Sequence, residues 1–112
     1  MFKLREATIS DLEKIRTINE EAIPAVNSVS LEEFRWFLKR SIYFKVSLNE
    51  DENVCGFLLV LPTGLKYESL NYKWFSDKFS NFAYIDRIAV KDEFRGKGIG
   101  KSLYVDLEKS VM

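Results

Sequence analysis

The chain has no histidine and a single cysteine, Cys55. The first absence excludes a Ser-His-Asp triad, a Cys-His pair and any histidine metal site within one chain. The second excludes an internal disulfide framework and a cysteine-based zinc site, so no metal is expected. Acid–base chemistry must then fall to Asp, Glu, Tyr, Lys, Cys, a terminal amine or water. Net charge is lacking too: seventeen Lys and Arg balance seventeen Asp and Glu. Nucleic-acid binders usually carry a basic excess, so no such partner is expected. No apolar run approaches the roughly 20 residues that span a bilayer; the longest is Phe57 to Leu61. The start, Met1-Phe2-Lys3-Leu4-Arg5-Glu6, carries charge too early for a secretory signal, and a cytoplasmic protein is expected.

What is present suits one soluble domain over residues 1–112, long enough to bury a core without staples. Phe2 to Ala7 alternates apolar and polar, as a short strand does. Ser10-Asp11-Leu12-Glu13 has the form of a capping box, and Leu12, Ile15, Ile18 or Asn19, and Ala22 follow at helical spacing until Pro24. A second box, Ser30-Leu31-Glu32-Glu33, opens a helix with Leu31, Phe34, Phe37 and Leu38 on its apolar side and Trp36 beside them. Ile42 to Leu48 and Val54 to Leu61 read as two strands of a hairpin around the polar turn 49–53, the second of them buried on both faces. Residues 65–81 scatter Tyr67, Tyr72, Trp74, Phe75 and Phe79 among polar residues. They read as a long loop, either functional or an aromatic lid over the core. Phe82 to Val90 is a strand. A helix then starts at Gly98 or Ile99, with Leu103, Leu107 and Val111 four apart. The order β-α-α-β-β-β-α predicts a mixed α/β (α+β) domain, not a doubly wound repeat.

The densest chemical signal is Arg95-Gly96-Lys97-Gly98-Ile99-Gly100. Three glycines in five residues allow positive φ and close approach by a ligand. The loop leads into a helix, whose first N–H groups lack internal partners and whose dipole is positive there, so the spot favours phosphate. Arg95, Lys97 and Lys101 add charge. A P-loop would need its first glycine at position 95, which is Arg. A Rossmann fingerprint would need G-x-G-x-x-G with an acid about 20 residues on. The pattern that fits in full is R/Q-x-x-G-x-G/A.

That pattern, preceded by the strand Ile85-Asp86-Arg87-Ile88-Ala89-Val90, resembles the acetyl-CoA-binding core of the GCN5-related N-acetyltransferase (GNAT) superfamily. Leu4-Arg5-Glu6-Ala7-Thr8 with Asp11-Leu12 and Ile15 resembles that family's first strand and helix, and Cys55-Gly56-Phe57 its third strand, so the resemblance covers the whole chain. It implies the N-terminal portion of the acyl-CoA N-acyltransferase fold, with a mostly antiparallel sheet. It implies direct transfer of acetyl from acetyl-CoA to a primary amine, on a small molecule or a peptide. Residues 95–100 and Lys101 would hold the pyrophosphate. Ile88, Ala89 and Val90 would pair with the pantetheine arm, with an amide near Ile88 polarising the thioester carbonyl. Asp86 is the first candidate for general base, with Tyr84 on the same face by alternation. Its competing reading is a pair with Arg87. Glu20 and Glu21 are candidates for binding the cationic amine or relaying its proton, against a solvated helix face. Tyr67, Tyr72 and Trp74 are candidates for the acceptor pocket, and Cys55 reads as a small buried residue.

One departure tempers the expectation. The chain stops at Met112, where the family continues with a fifth strand, a further helix and closing strands. An exposed edge on the last strand predicts self-association into a homo-oligomer. The missing C-terminal elements also keep open a non-catalytic acyl-CoA-binding or interaction module.

Overall fold

The computed structural model describes residues 2–62 and 83–111. Strand β1 (Lys3–Glu6) leads through a 3-10 turn (Ile9–Asp11) into helix α1 (Leu12–Glu21) and then α2 (Leu31–Arg40). Strands β2 (Tyr43–Leu48), β3 (Val54–Pro62) and β4 (Ala83–Val90) follow, then a 3-10 turn (Asp92–Phe94) and helix α3 (Ile99–Val111). The expected order and the mixed α/β class are both found. Among the described residues the sheet runs β1-β2-β3-β4 and every pairing is antiparallel. The aromatic stretch 65–81, with Tyr67, Tyr72 and Trp74, lies outside the described residues.

The helices lie on two sides because β3 is apolar at nearly every position and both its faces need covering. Among the described residues, Phe57, Leu59 and Leu61 join Leu12, Ile15, Ile18, Phe34 and Phe37 in a core of fifteen buried residues under α1 and α2. Leu58 and Val60 join Ile99, Leu103 and Leu107 in a core of seven under α3. Phe34 packs edge-on against both Phe37 and Phe57, with ring centroids 6.1 and 6.0 Å apart. The far side of α3 is fastened to β2 by Asp106, whose Oδ2 accepts from Tyr43 Oη and Lys45 Nζ, both at 2.8 Å. Burial and the Asp106 bond together hold the Tyr43 phenol well above its usual range.

One cap falls where expected and one does not. Ser30 Oγ accepts from Glu33 N at 3.1 Å and Glu33 Oε1 accepts from Ser30 N at 3.2 Å, completing the box at α2. At α1 the box expected of Ser10 and Glu13 is replaced by Thr8 and Asp11. Thr8 N donates to Asp11 Oδ2 at 2.7 Å, and Ser10 falls inside the 3-10 turn. Arg5 decides between the two. Its Nη1 and Nη2 reach the Asp11 carboxylate at 2.7 and 2.8 Å, a bidentate grip that ties β1 to the start of α1.

Candidate active site

The glycine turn sits where β4 hands over to α3. Lys91 N donates to Cys55 O at 2.8 Å, which ends the strand, and a single 3-10 turn carries the chain to Arg95. Gly96 and Gly98 have φ of 79° and 81°, the left-handed region that side-chain-bearing residues rarely adopt. A Cβ on either would meet nothing within 4 Å, so the space before them is open. Ser102 N donates to Gly98 O at 3.0 Å, so the first turn of α3 closes on Gly98. The next amides, of Ile99, Gly100 and Lys101, fall where a helix provides no carbonyl four residues back. Ile99 is buried and anchors this end, while Gly96, Lys97, Gly98 and Lys101 are exposed. Gly100 faces β4, and a Cβ there would lie 3.8 Å from Ile88 Cδ1. Arg95 turns back: its Nε donates to Val90 O at 3.2 Å and its Nη1 pairs with Asp92 at 3.1 Å.

Beside this turn, among the described residues, β4 is the last strand of the sheet. The inward bond of Lys91 sets the alternation of its backbone. Ala89 directs its N–H and C=O at Phe57 of β3, whereas Ile88 and Val90 direct theirs to the outer edge. Of the three residues expected to meet the pantetheine arm, Ile88 and Val90 therefore present main-chain groups there. Side chains of both pack on the α3 side.

The structure breaks the expected alternation at Asp86. Leu59 pairs with Arg87 and Val60 with Ile85, so Asp86 is an extra residue, a β-bulge. Strict alternation would put Asp86 and Arg87 on opposite faces. The bulge instead brings Asp86 Oδ2 to 2.7 Å from Arg87 Nε, and both side chains are buried, at 3% and 5% exposure. The pair weighed for Asp86 is thus present. Tyr84 lies opposite Leu61 in the register, but the bulge intervenes between it and Asp86, so a shared face no longer follows from alternation.

Sequence reasoning weighed Arg87 only as a partner of Asp86 and missed the link it makes to Asn19 and Asn27. Arg87 Nη1 donates to Asn19 Oδ1 at 3.0 Å and to Asn27 O at 3.1 Å, and Nη2 donates to Asn27 Oδ1 at 2.7 Å. Asn19 is fully buried on the apolar face of α1. A polar residue at a core position of a helix needs a partner, and that was the available signal. Glu20 is an anchor for the 22–30 loop: Oε1 accepts from Ser28 Oγ at 2.7 Å and Oε2 from Val29 N at 3.4 Å. These bonds, Ser28 foremost, hold its carboxyl below the usual range. Glu21 is exposed. Its charge contributes, after the 2.9 Å pair with Glu93, to holding Lys91 above the ordinary lysine value, and it makes no hydrogen bond to Asp86. Cys55 is fully buried, its Sγ 3.2 Å from Ser47 O, and burial pushes its thiol up, away from nucleophilic use.

A family model, described as the acetyltransferase (GNAT) family, matches residues 9–111. The chain belongs to this family. Solved structures agree on the fold. Structures with this architecture include Ard1 from Thermoplasma volcanium, at 18% identity and a TM-score of 0.70, covering 94% of this chain and 60% of its own. Another is the aminoglycoside 6'-N-acetyltransferase AAC(6')-Ih from Acinetobacter baumannii, at 16% identity and a TM-score of 0.69, covering 96% and 69%. A third is a phosphinothricin acetyltransferase from Sinorhizobium meliloti in complex with AcCoA, at 26% identity and a TM-score of 0.66, covering 95% and 57%. This chain therefore spans between 57% and 69% of the length of these three proteins. A comparison with curated proteins finds no match. Among the described residues, no helix is long and apolar enough to cross a membrane.

Proposed function

We propose that this GNAT domain transfers an acetyl group from acetyl-CoA to a primary amine by direct attack. The observation that carries the reading is the pair of left-handed glycines, Gly96 and Gly98, open to solvent at the amino end of α3 and beside the outer edge of β4. Residues of the turn fit a pyrophosphate, because the open space and the free amides coincide. The amides of Gly98, Ile99, Gly100 and Lys101 would hold it, with Lys97 and Lys101 supplying positive charge. Main-chain groups of Ile88 and Val90 would pair with the pantetheine arm, and the Ile88 N–H would donate to the thioester carbonyl oxygen. When bound, acetyl-CoA supplies the activated acyl group, whose C–S bond breaks as the amine nitrogen forms its C–N bond, sulfur leaving as thiolate.

Asp86 is the residue for the amine's proton. One carboxylate oxygen is held by Arg87, and the other, Oδ1, has no hydrogen bond among the described residues. An amine that arrives as ammonium must lose a proton before it attacks, and Oδ1 is an acceptor with capacity to take it. Tyr84, on the same strand, and Glu21, at the end of α1, are kept as secondary participants in binding or relaying that proton.

Isothermal titration with acetyl-CoA and, separately, with ATP tests the cofactor. Acetyl-CoA is expected to bind and ATP not to; the reverse would overturn the reading. Gly98→Glu is expected to abolish binding, since it sets bulk, negative charge and a strained backbone at the phosphate position. Thiol release with a panel of primary amines then tests turnover, and Asp86→Asn should slow it while leaving acetyl-CoA binding intact. A second reading, an acyl-CoA-binding module without turnover, draws on the burial of Asp86 against Arg87. Binding without thiol release would select it.

Self-association belongs to the same proposal. The bulge divides the outer edge of β4. Its Ala83–Ile85 part, next to the exposed Ile85 side chain, is the segment offered to a second copy, leaving Ile88–Val90 for the cofactor. Sedimentation velocity at micromolar concentration should show a dimer; a clean monomer would remove this part of the proposal.

A further inference from the structure

Burying a guanidinium costs several kcal/mol of solvation, and a hydrophobic residue of similar volume would pack against Phe37 and Leu59 without it. The Arg87 position therefore invites a question about what the charge accomplishes. Its guanidinium makes four hydrogen bonds to three partners on separate elements: Asp86 at the β4 bulge, Asn19 in α1, and Asn27 in the 22–30 loop. Phe37 closes one face, its ring centroid 5.9 Å from Arg87 Cζ. The loop is clasped from its other side as well, by Asn19 Nδ2 to Asn27 O at 2.9 Å and by the Glu20 bonds to Ser28 and Val29.

The manner of the grip matters. A bidentate fork would occupy both oxygens of Asp86. Arg87 instead approaches through Nε alone, fixing Oδ2 and leaving Oδ1 without a hydrogen bond among the described residues, on a side chain 97% removed from solvent. The forked Nη groups are turned toward the loop. A single rigid plane thus orients the carboxylate and the loop relative to each other, which a lysine, with one point charge on a flexible stem, cannot do.

We infer that Arg87 is a positioning residue that couples Asp86 to the 22–30 loop, so that the carboxylate and the loop take up their places together. The inference rests on the reading of Asp86 as the group that receives the amine's proton, but the coupling itself is a property of the free protein. The bulge is what makes it feasible, because it puts two consecutive strand residues on one side.

The test is a cycle read by NMR, with kinetics beside it. In the wild type, Asp86→Asn is expected to shift the side-chain amide of Asn27 and the backbone amides of Ser28 and Val29. In the Arg87→Met background the same substitution should leave them unmoved. Arg87→Lys, which keeps the charge, serves where Arg87→Met does not fold, and should retain less than half of the shift. Persistence of the full shift in either background would overturn the inference. Asn27→Ala supplies an independent arm: the Asp86 carboxyl carbon resonance should move, and an unmoved resonance counts against coupling. For the kinetics, thiol release from acetyl-CoA is followed with spermidine, glucosamine and an unblocked peptide. Misplacing a reacting group by an ångström can lower rates about 10²-fold. Arg87→Lys should therefore lower kcat on that order, with KM for acetyl-CoA unchanged. A kcat within twofold of wild type would sink the positioning role. If the wild type releases no thiol with any amine, the transferase reading fails while the NMR cycle still decides the coupling.

Discussion

Gly56 offers a sharp test of how α3 is seated. It lies in β3 opposite Val90, with an ordinary backbone, so substitution there tests space and not strain. A Cβ at this position would sit 3.1 Å from Ile99 Cγ2, 3.2 Å from Ala89 O and 3.4 Å from Val90 Cγ2. Side-chain methyls can yield by a few tenths of an ångström, but the Ala89 oxygen is part of the ladder to β3 and cannot move without β4. Overpacking of this kind costs about 1–3 kcal/mol. Removing a glycine from the unfolded chain returns about 0.4–1 kcal/mol. The net expectation for Gly56→Ala is a loss of about 1–2 kcal/mol, a fall in Tm of roughly 4–8 °C at roughly 4 °C per kcal/mol. Differential scanning calorimetry measures it. Ile99 is the first residue of α3, so titration with acetyl-CoA should also weaken. Gly100→Ala is the control, because its Cβ would meet Ile88 at an ordinary 3.8 Å. A Tm for Gly56→Ala at or above wild type, or an equal fall in Tm from Gly100→Ala, would refute the reasoning.

Asp11 supplies a pH prediction. Arg5 first, then Thr8, hold its carboxyl below the ordinary range. A folded value below the unfolded one stabilises above the ordinary carboxylate value of about 3.9, and that stability is lost as pH falls through the lower folded value. Asp11→Ala should cost about 1–2 kcal/mol at pH 7 and progressively less as acid titrates the wild-type group; urea melts at pH 7 and pH 2 compare the two. Asp106→Asn should lower stability by about 1 kcal/mol, with Lys45→Met adding little on top, since both remove the same pair; a double-mutant cycle in urea reads the coupling. Phe34→Ala removes a fully buried ring shared by both helices and β3, and should cost about 3–5 kcal/mol in the same assay.

The elements with strong local chemistry were readable from the chain. Ser30 and Glu33 announce α2, the apolar run of β3 announces burial on both faces, and Gly96 and Gly98 take the positive φ their spacing suggested. What was unreadable depends on contacts far apart in sequence. Thr8 and Ser10 are both hydroxyls with a carboxylate three residues on, and the choice of Thr8 is made by Arg5 in β1. The bulge at Asp86 carries no glycine to mark it. It shows only in the register of β4 against β3, and with it the burial of Arg87 against Asn19, 68 residues away. The left-handed glycines of the turn were therefore legible from their spacing, whereas the surroundings of Asp86 were not visible.

Among the described residues the two faces of the sheet are unequally filled: fifteen buried residues under α1 and α2, seven under α3. Local opening follows buried apolar contact, so among the described residues the amides of α3 should exchange with deuterium sooner than those of α1 and α2. The helix that presents the glycine turn is thus the less firmly held one. A ligand seated on its first amides would suppress that opening by mass action, by about 2.7 kcal/mol at a hundred times its dissociation constant. Affinity at this turn and order in α3 are then two measurements of one equilibrium, and a substitution deep under α3 can weaken binding without touching any atom of the ligand.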